Sequence, residues 1–335
     1  MMSILANSTR ESQRLAWLLQ DLTPMSKYRR IAFRTKPTIW TTPKIGLCAG
    51  LRSGYNGCGW GEGTLVPIEL TYPRGGALIA GGTGRLGEGI VRQFAKAGVP
   101  QVFTYLSSEK KAHALECELR DQGCQSIAQR MDVEDTSSVQ SALERVESEY
   151  GRLHTVAVGA GVPVSFAKMA DYEIEAVERF VAADSLGYFR LFKQATLIMR
   201  RSGGGSIVAC STMAVRRVIE FDGISPFSKG SLDALVRQLA YEEAENNIRV
   251  NAIALGWIDR LTLEETRQWI PAGRPAKCET SLEMMQAVLD QAYNLARFRR
   301  PGRLDEGGNL VAFLASDQAS YVTGQIIGFD GGATL

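Results

Sequence analysis

The run Gly81-Gly82-Thr83-Gly84-Arg85-Leu86-Gly87 joins a short apolar stretch, Ala77-Leu78-Ile79-Ala80, to a segment with helical spacing, Ile90-Val91-Arg92-Gln93-Phe94-Ala95. A strand that turns through glycines into a helix gathers backbone N–H groups and a helix N-terminus at one point, where side chains would block a phosphate. Gly81, Gly84 and Gly87 leave that approach open, and Thr83, Arg85 and Leu86 fill the turn between them. A glycine cluster alone marks only a tight turn. Its strand–turn–helix setting is what points to a dinucleotide pyrophosphate.

The same alternation continues along the chain. Strand-like runs at 102–106, 127–131, 155–158, 206–210 and 249–254 are separated by helical patterns at 110–122, 136–149, 173–183, 186–199 and 226–243. Strands alternating with helices predict βαβ units, and apolar strand cores predict a sheet covered on both faces. The expected fold is α/β: one doubly wound, Rossmann-like parallel sheet with helices on both faces, spanning residues 75–335.

Residues 1–74 read differently. They carry ten lysines and arginines against four acidic residues, three of the five tryptophans, and a glycine-rich stretch from Gly54 to Gly63. They lack the apolar core of a secretory signal. A mitochondrial-type presequence, an accessory segment and a start codon placed too far upstream all remain open. The last is preferred, since nothing in this basic extension resembles a packed unit.

The formal net charge of +2 gives no reason to expect nucleic acid as a partner, and no apolar run suits a membrane span. Six scattered cysteines without a CxxC pair suggest reduced thiols rather than disulfides or zinc. Two distant histidines, His113 and His154, offer no metal-ligand spacing, so no metal is expected. A cytoplasmic location follows as the expectation.

After the second strand the sequence reads Tyr105-Leu106-Ser107-Ser108-Glu109-Lys110-Lys111. A carboxylate ending this strand would bind the adenosine ribose and favour NAD. Here hydroxyls at Ser107 and Ser108 and two nearby lysines suit a 2′-phosphate, so NADP(H) is expected over NAD(H). Asp132 and Val133, after the third strand, are placed to contact the adenine.

This arrangement resembles the short-chain dehydrogenase/reductase family over nearly all of 75–335. The resemblance rests on the glycine turn, Asp132-Val133, Gly159-Ala160-Gly161 after the fourth strand, Lys229 on the long helix, and Arg249-Val250-Asn251-Ala252 ahead of Gly256 and Ile258. Near the end, Tyr321-Val322-Thr323-Gly324-Gln325 and Asp330-Gly331-Gly332 look like the classical subgroup, whose members are commonly tetramers. It implies a homo-oligomer, tetramer or dimer, with the cofactor held by Gly81, Thr83, Gly84, Arg85, Leu86, Gly87, Ser107, Ser108, Asp132, Val133, Gly159, Ala160, Lys229, Gly256 and Ile258.

The family's usual active site is Asn, Ser, Tyr and Lys, with Tyr four residues before Lys and Ser thirteen before Tyr. Only Lys229 matches. The tyrosine position holds Ser225, the serine position Thr212 and the asparagine position Asp184. Reducing a ketone needs a proton donor at the carbonyl oxygen, and a serine hydroxyl is a far weaker acid than a phenol with a pKa of about 10.

Reducing a carbon–carbon double bond conjugated to a carbonyl asks instead for fixed donors around a developing enolate, which Thr212 and Ser225 can provide. Asp184 would then bring the proton to carbon. The combination is similar to 2,4-dienoyl-CoA reductases, which implies an enoyl-type substrate such as an acyl thioester. Two alternatives stay open: a non-redox dehydratase, isomerase or lyase, and a catalytically silent cofactor-binding homologue. The segment at about 257–300, with Trp269, Ile270, Met284, Met285 and several arginines, is expected to cover the substrate without naming it.

Overall fold

The computed structural model describes residues 69–159, 161, 162, 164–258 and 282–335, with the side chains of residues 282, 283, 285 and 286 left aside. The expectations for residues 1–68, for Ala160, and for Trp269, Ile270 and Met285 in the covering segment lie outside what is described.

Seven parallel strands form one sheet in the order β3-β2-β1-β4-β5-β6-β7. They are β1 (Gly76–Ala80), β2 (Gln101–Tyr105), β3 (Ser126–Arg130), β4 (Leu153–Val158), β5 (Gly205–Thr212), β6 (Ile248–Leu255) and β7 (Ile326–Phe329). Between them run α1 (Arg85–Lys96), α2 (Glu109–Asp121), α3 (Thr136–Tyr150), α4 (Ile174–Phe180), α5 (Tyr188–Arg201), α6 (Ile224–Glu243), α7 (Leu282–Leu295) and α8 (Leu304–Ala315). The doubly wound α/β sheet is therefore present, with a seventh strand beyond those read from sequence.

Successive strand residues face opposite sides of a sheet, and here both sides are buried. Leu78, Val156, Ile207 and Val250 pack on one face with Leu143 and Val146 of α3, Leu191 and Phe192 of α5, and Leu232 and Val236 of α6. Ala77, Ile79, Phe103, Val208 and Ile253 pack on the other with Ile90 and Phe94 of α1, Leu115 and Leu119 of α2, and Val311 and Leu314 of α8. This two-sided burial explains why the strands read as apolar runs rather than alternating ones.

Between α4 and α5 the chain does not break, as two separate helical patterns would suggest. It winds through a wider π turn, Val181–Gly187, so residues 174–201 form one continuous helical segment. Such turns insert one extra residue per turn and often mark functional sites.

Leu70 and Tyr72, which the sequence places in the basic extension, pack against the α1–α2–α8 face of the core. The Tyr72 hydroxyl donates to the Ala312 carbonyl at 3.0 Å, its ring centroid lies 5.8 Å from that of Phe94, and Thr71 bonds Asp317 and Gln318. Burial pushes the Tyr72 phenol well above its ordinary range, with the Asp317 charge adding to the effect. Among the described residues no helix is long and apolar enough to cross a membrane.

Tyr72→Ala removes a half-buried ring and leaves the Ala312 carbonyl without this donor. It is expected to destabilise the domain by about 2–3 kcal/mol, read as a lower urea midpoint with an unchanged slope.

Candidate functional site

All strands of a parallel sheet end on one side, and a crevice opens there where the strand order reverses, between β1 and β4. The residues after those two strands are glycines in close contact. Gly81 adopts φ +71°, which a side chain disfavours, and the Gly84 amide donates to the Gly81 carbonyl at 2.9 Å, bending the chain into α1.

A Cβ on Gly87 would lie 2.0 Å from Gly81 O, and one on Gly159 would lie 2.4 Å from the Gly87 Cα. The turn and the end of β4 therefore meet backbone to backbone, leaving the first-turn amides of α1 without intrahelical acceptors and open to an anion. This cradle, which a Cβ would fill, fits a dinucleotide pyrophosphate.

The flanking residues divide by role. The Leu86 side chain is buried in the core beside Gly307, so only its backbone faces the turn. The Thr83 carbonyl accepts from Lys111 Nζ at 2.8 Å, and the same ammonium pairs with Glu88 at 2.9 Å. Burial disfavours the Glu88 charge, yet hydrogen bonds from Lys111 and Arg92 outweigh it and hold this carboxyl below its ordinary range. Lys111 thus braces the turn.

Ser107 and Ser108 are exposed beyond β2. Asp132 accepts from the Glu134 amide at 2.9 Å after β3, and Val133 packs against Gly187, where a Cβ would meet Val133 Cγ2 at 2.8 Å. Gly256 abuts Asp330 at the end of β6, and Ile258 bridges to Gly302. Apart from Lys229 on α6, the described cofactor candidates follow the C-terminal ends of β1, β2, β3, β4 and β6.

Two of the catalytic candidates, Asp184 and Lys229, meet directly, while Thr212 and Ser225 stand on neighbouring elements. Asp184 sits in the π turn, 3% exposed, with Oδ2 3.2 Å from Lys229 Nζ on α6. Its other oxygen accepts from the Val162 amide at 3.3 Å. The π turn is tied to α6 by Ser185, whose hydroxyl donates to the Ser228 carbonyl and meets Ser231 Oγ, both at 2.9 Å.

Lys229 Nζ is buried and, despite the ion pair, makes no hydrogen bond of good geometry; it stands 5.0 Å from the Tyr188 ring centroid and 3.5 Å from where a Gly161 Cβ would be. An ammonium with unused donors beside the glycine cradle fits a ribose hydroxyl. Tyr188 offers no substitute phenol for catalysis: burial first, then the Asp184 charge, pushes its pKa well above 10.

Thr212 ends β5, half-buried, its Oγ1 accepting from the Ala214 amide at 3.2 Å. Ser225 is buried in the first turn of α6, one helical turn before Lys229. Beside it lies a carboxyl passed over at the level of sequence. The Oδ1 of Asp222 is buried without a partner. Burial pushes this carboxyl up to about 6, against the lowering effect of Ser225. The only available signal was Asp-x-x-Ser at a helix start, which reads as a capping pattern.

A cradle for a dinucleotide with a buried lysine beside it fits a nucleotide-dependent oxidoreductase on a parallel α/β sheet. Residues 83–334 match a family profile described as enoyl-(acyl carrier protein) reductase, and the chain belongs to the short-chain dehydrogenases/reductases, which use nicotinamide cofactors.

Versicolorin reductase stcU of Emericella nidulans is 30% identical over 258 residues, 77% of this chain and 94% of that one. Cis-4-hydroxycyclohexanecarboxylate dehydrogenase of Sinomonas cyclohexanicum is 29% identical over 260 residues, 77% of this chain and 96% of the relative. Among solved structures, NADPH-dependent 3-quinuclidinone reductase from Rhodotorula rubra is similar with a TM-score of 0.67 at 26% identity, covering 79% of this chain and 93% of that one.

Gly87→Ala drives a methyl group into the Gly81 carbonyl and should weaken NADPH binding at least tenfold. The check is a fluorescence titration, with circular dichroism confirming that the fold persists.

Proposed function

We propose that this enzyme is an NADPH-dependent reductase of a carbon–carbon double bond conjugated to a carbonyl, as in an enoyl or dienoyl thioester. The observation that carries this reading is the buried Ser225 one helical turn before Lys229, where the family commonly places a phenol. A short hydroxyl holds an oxygen well and protonates it poorly, which suits enolate stabilisation better than alcohol formation.

In this reading the glycine turn and the first-turn amides of α1 hold the pyrophosphate, Lys229 holds the nicotinamide ribose, and Ser107 and Ser108 meet a 2′-phosphate. When bound, the cofactor supplies hydride. Thr212 and Ser225 donate hydrogen bonds to the substrate oxygen, and Asp184 takes a proton from the Lys229 ammonium it pairs with and passes it to carbon, water then reprotonating the lysine. The described family profile and the NADPH-dependent structural neighbour support the choice of bond and cofactor. Exposed Phe189 and Leu197 on α5 and Phe227 and Tyr241 on α6 support assembly as a homodimer or tetramer.

A second reading, carbonyl reduction, is favoured by the dehydrogenase of a hydroxy acid among the relatives. The two separate in a 340 nm assay with product analysis on benzylideneacetone and cyclohexanone. Saturation of the double bond with cyclohexanone untouched is the expected result; alcohol from either compound favours the second reading. Asp184→Ala should abolish double-bond reduction while NADPH binding persists, and full activity in that variant would remove Asp184 from its role. Ser225→Tyr is expected to add carbonyl reduction, with alcohol appearing among the products.

A further inference from the structure

Residues 213–222 form the loop that joins the two candidate oxygen donors, Thr212 at the end of β5 and Ser225 in the first turn of α6. The donors themselves are held by regular structure: Thr212 pairs with Leu255 in the sheet, and Ser225 is fixed in the helix. The loop holds one short helical turn, Met213–Val215, so its position depends on what it touches.

Its contacts run in three directions. The Phe221 carbonyl accepts from the Ala167 amide at 3.0 Å, which ties the loop to the segment after β4. The Glu220 amide donates to Oε1 of Gln291 on α7 at 2.9 Å. Arg217, half-buried, donates to the Ala333 carbonyl at 2.8 Å and reaches the Leu335 oxygen at 3.5 Å. Beneath these bonds Met213 and Ile219 pack with Val288 of α7 and with Ala333, all four buried.

The turn that Arg217 holds is built around Asp330. One Asp330 oxygen accepts from the Gly332 amide at 2.9 Å, and the other from the Thr334 amide at 3.1 Å and its hydroxyl at 2.6 Å. Gly331 and Gly332 adopt φ of 60° and 82°, which folds the chain back on itself. The same turn meets two further walls. Its Gly331 carbonyl accepts from the Arg297 amide at 2.8 Å, just beyond α7, and a Cβ on Gly256, after β6, would lie 2.6 Å from the Asp330 Cα. Residues 330–335 thus sit where the end of β6, the end of α7 and the loop after β5 converge.

We infer that Arg217 is a positioning residue for the reductase, fastening the 213–222 loop to the Asp330 turn and so fixing the wall that the substrate meets between Thr212 and Ser225. The inference rests on the reductase reading above for its reaction. Arg217 touches no reacting atom and acts only through the loop. A charged donor on a carbonyl makes a stronger bond than a neutral one, which suits a fastening point at the rim of a site.

Freeing the loop leaves the two hydroxyls anchored by sheet and helix, and loosens the surface against which the substrate binds. Substrate binding therefore suffers more than the chemical step. The glycine cradle after β1 and β4 stands on its own backbone contacts, so cofactor binding is spared.

The test uses the full chain and the variants Arg217→Ala, Arg217→Lys and Asp330→Ala. With NADPH and benzylideneacetone, Arg217→Ala should raise KM about tenfold, with kcat and the NADPH dissociation constant each within about twofold of wild type. Lysine keeps a cationic donor for one carbonyl, so Arg217→Lys should bring KM back to within about threefold. Asp330→Ala undoes the turn from inside and should raise KM as Arg217→Ala does, with little added in the double variant.

Hydrogen exchange read by mass spectrometry follows the fastening without turnover. Peptides over residues 213–222 should exchange about tenfold faster in Arg217→Ala, while those of β4 and β5 stay as in wild type. An Arg217→Ala protein with wild-type KM, with unchanged exchange in the loop, or with NADPH affinity lost as much as substrate affinity overturns the inference and leaves the reductase reading standing. If the wild type binds NADPH and turns over neither benzylideneacetone nor cyclohexanone, the reductase reading falls and this role falls with it.

Discussion

The contact between the Gly81–Gly87 turn and Gly159 sets the rest of the site, because no side chain fits into it. With a Cβ at Gly87 lying 2.0 Å from a carbonyl oxygen, and one at Gly159 2.4 Å from the Gly87 Cα, β1 and β4 cannot separate their ends. That closeness fixes the crevice at the reversal of strand order and orients the N-terminus of α1 across it. Lys111 then locks the turn from outside through the Thr83 carbonyl and Glu88. The rigid half of the site is thus made by backbone, and the other half is left to side chains on α6, the π turn and the end of β5.

Those side chains centre on one ion pair between the π turn and α6. At Lys229 an ammonium and the Asp184 carboxyl are buried together at 3.2 Å, so each reduces the cost of desolvating the other. One turn earlier, Ser225 is buried near Asp222, whose carboxyl is raised by burial against the lowering effect of that serine. The π turn makes the first pair possible: it shifts the helical register at Val181–Gly187 so that Asp184 is buried, and the serines 185, 228 and 231 staple it to α6. Removing either charge of the Asp184–Lys229 pair would strand the other in a poorly hydrated place, which is why the two positions are best read as one unit.

The legible and illegible parts of this chain differ in physical kind. Leu78, Val156 and Ile207 announce a covered parallel sheet because burial on both faces leaves no room for polar alternation. The glycine turn is legible for the same sort of reason, since its chemistry is an absence of side chains. β7 escaped because Ile326–Phe329 is four residues long and partly exposed, so no period can register in it. Leu86 and Lys111 look available in sequence, and the first turns into the core while the second is committed to the turn. Asp222 was invisible because its pattern is that of any helix cap; its significance lies in burial, which sequence does not display.

In the proposed reading, Ser225 stands where the family commonly places a phenol. A phenol combines two properties, a long reach and an acid strength that a neighbouring ammonium can tune. A serine hydroxyl offers neither by itself. The substrate oxygen must then come closer to α6 than it would to a tyrosine. A substrate whose reacting carbon is separated from its oxygen by a conjugated chain meets that demand more readily than a compact ketone, because its oxygen can sit deep beside Ser225 while the carbon that accepts hydride remains further out.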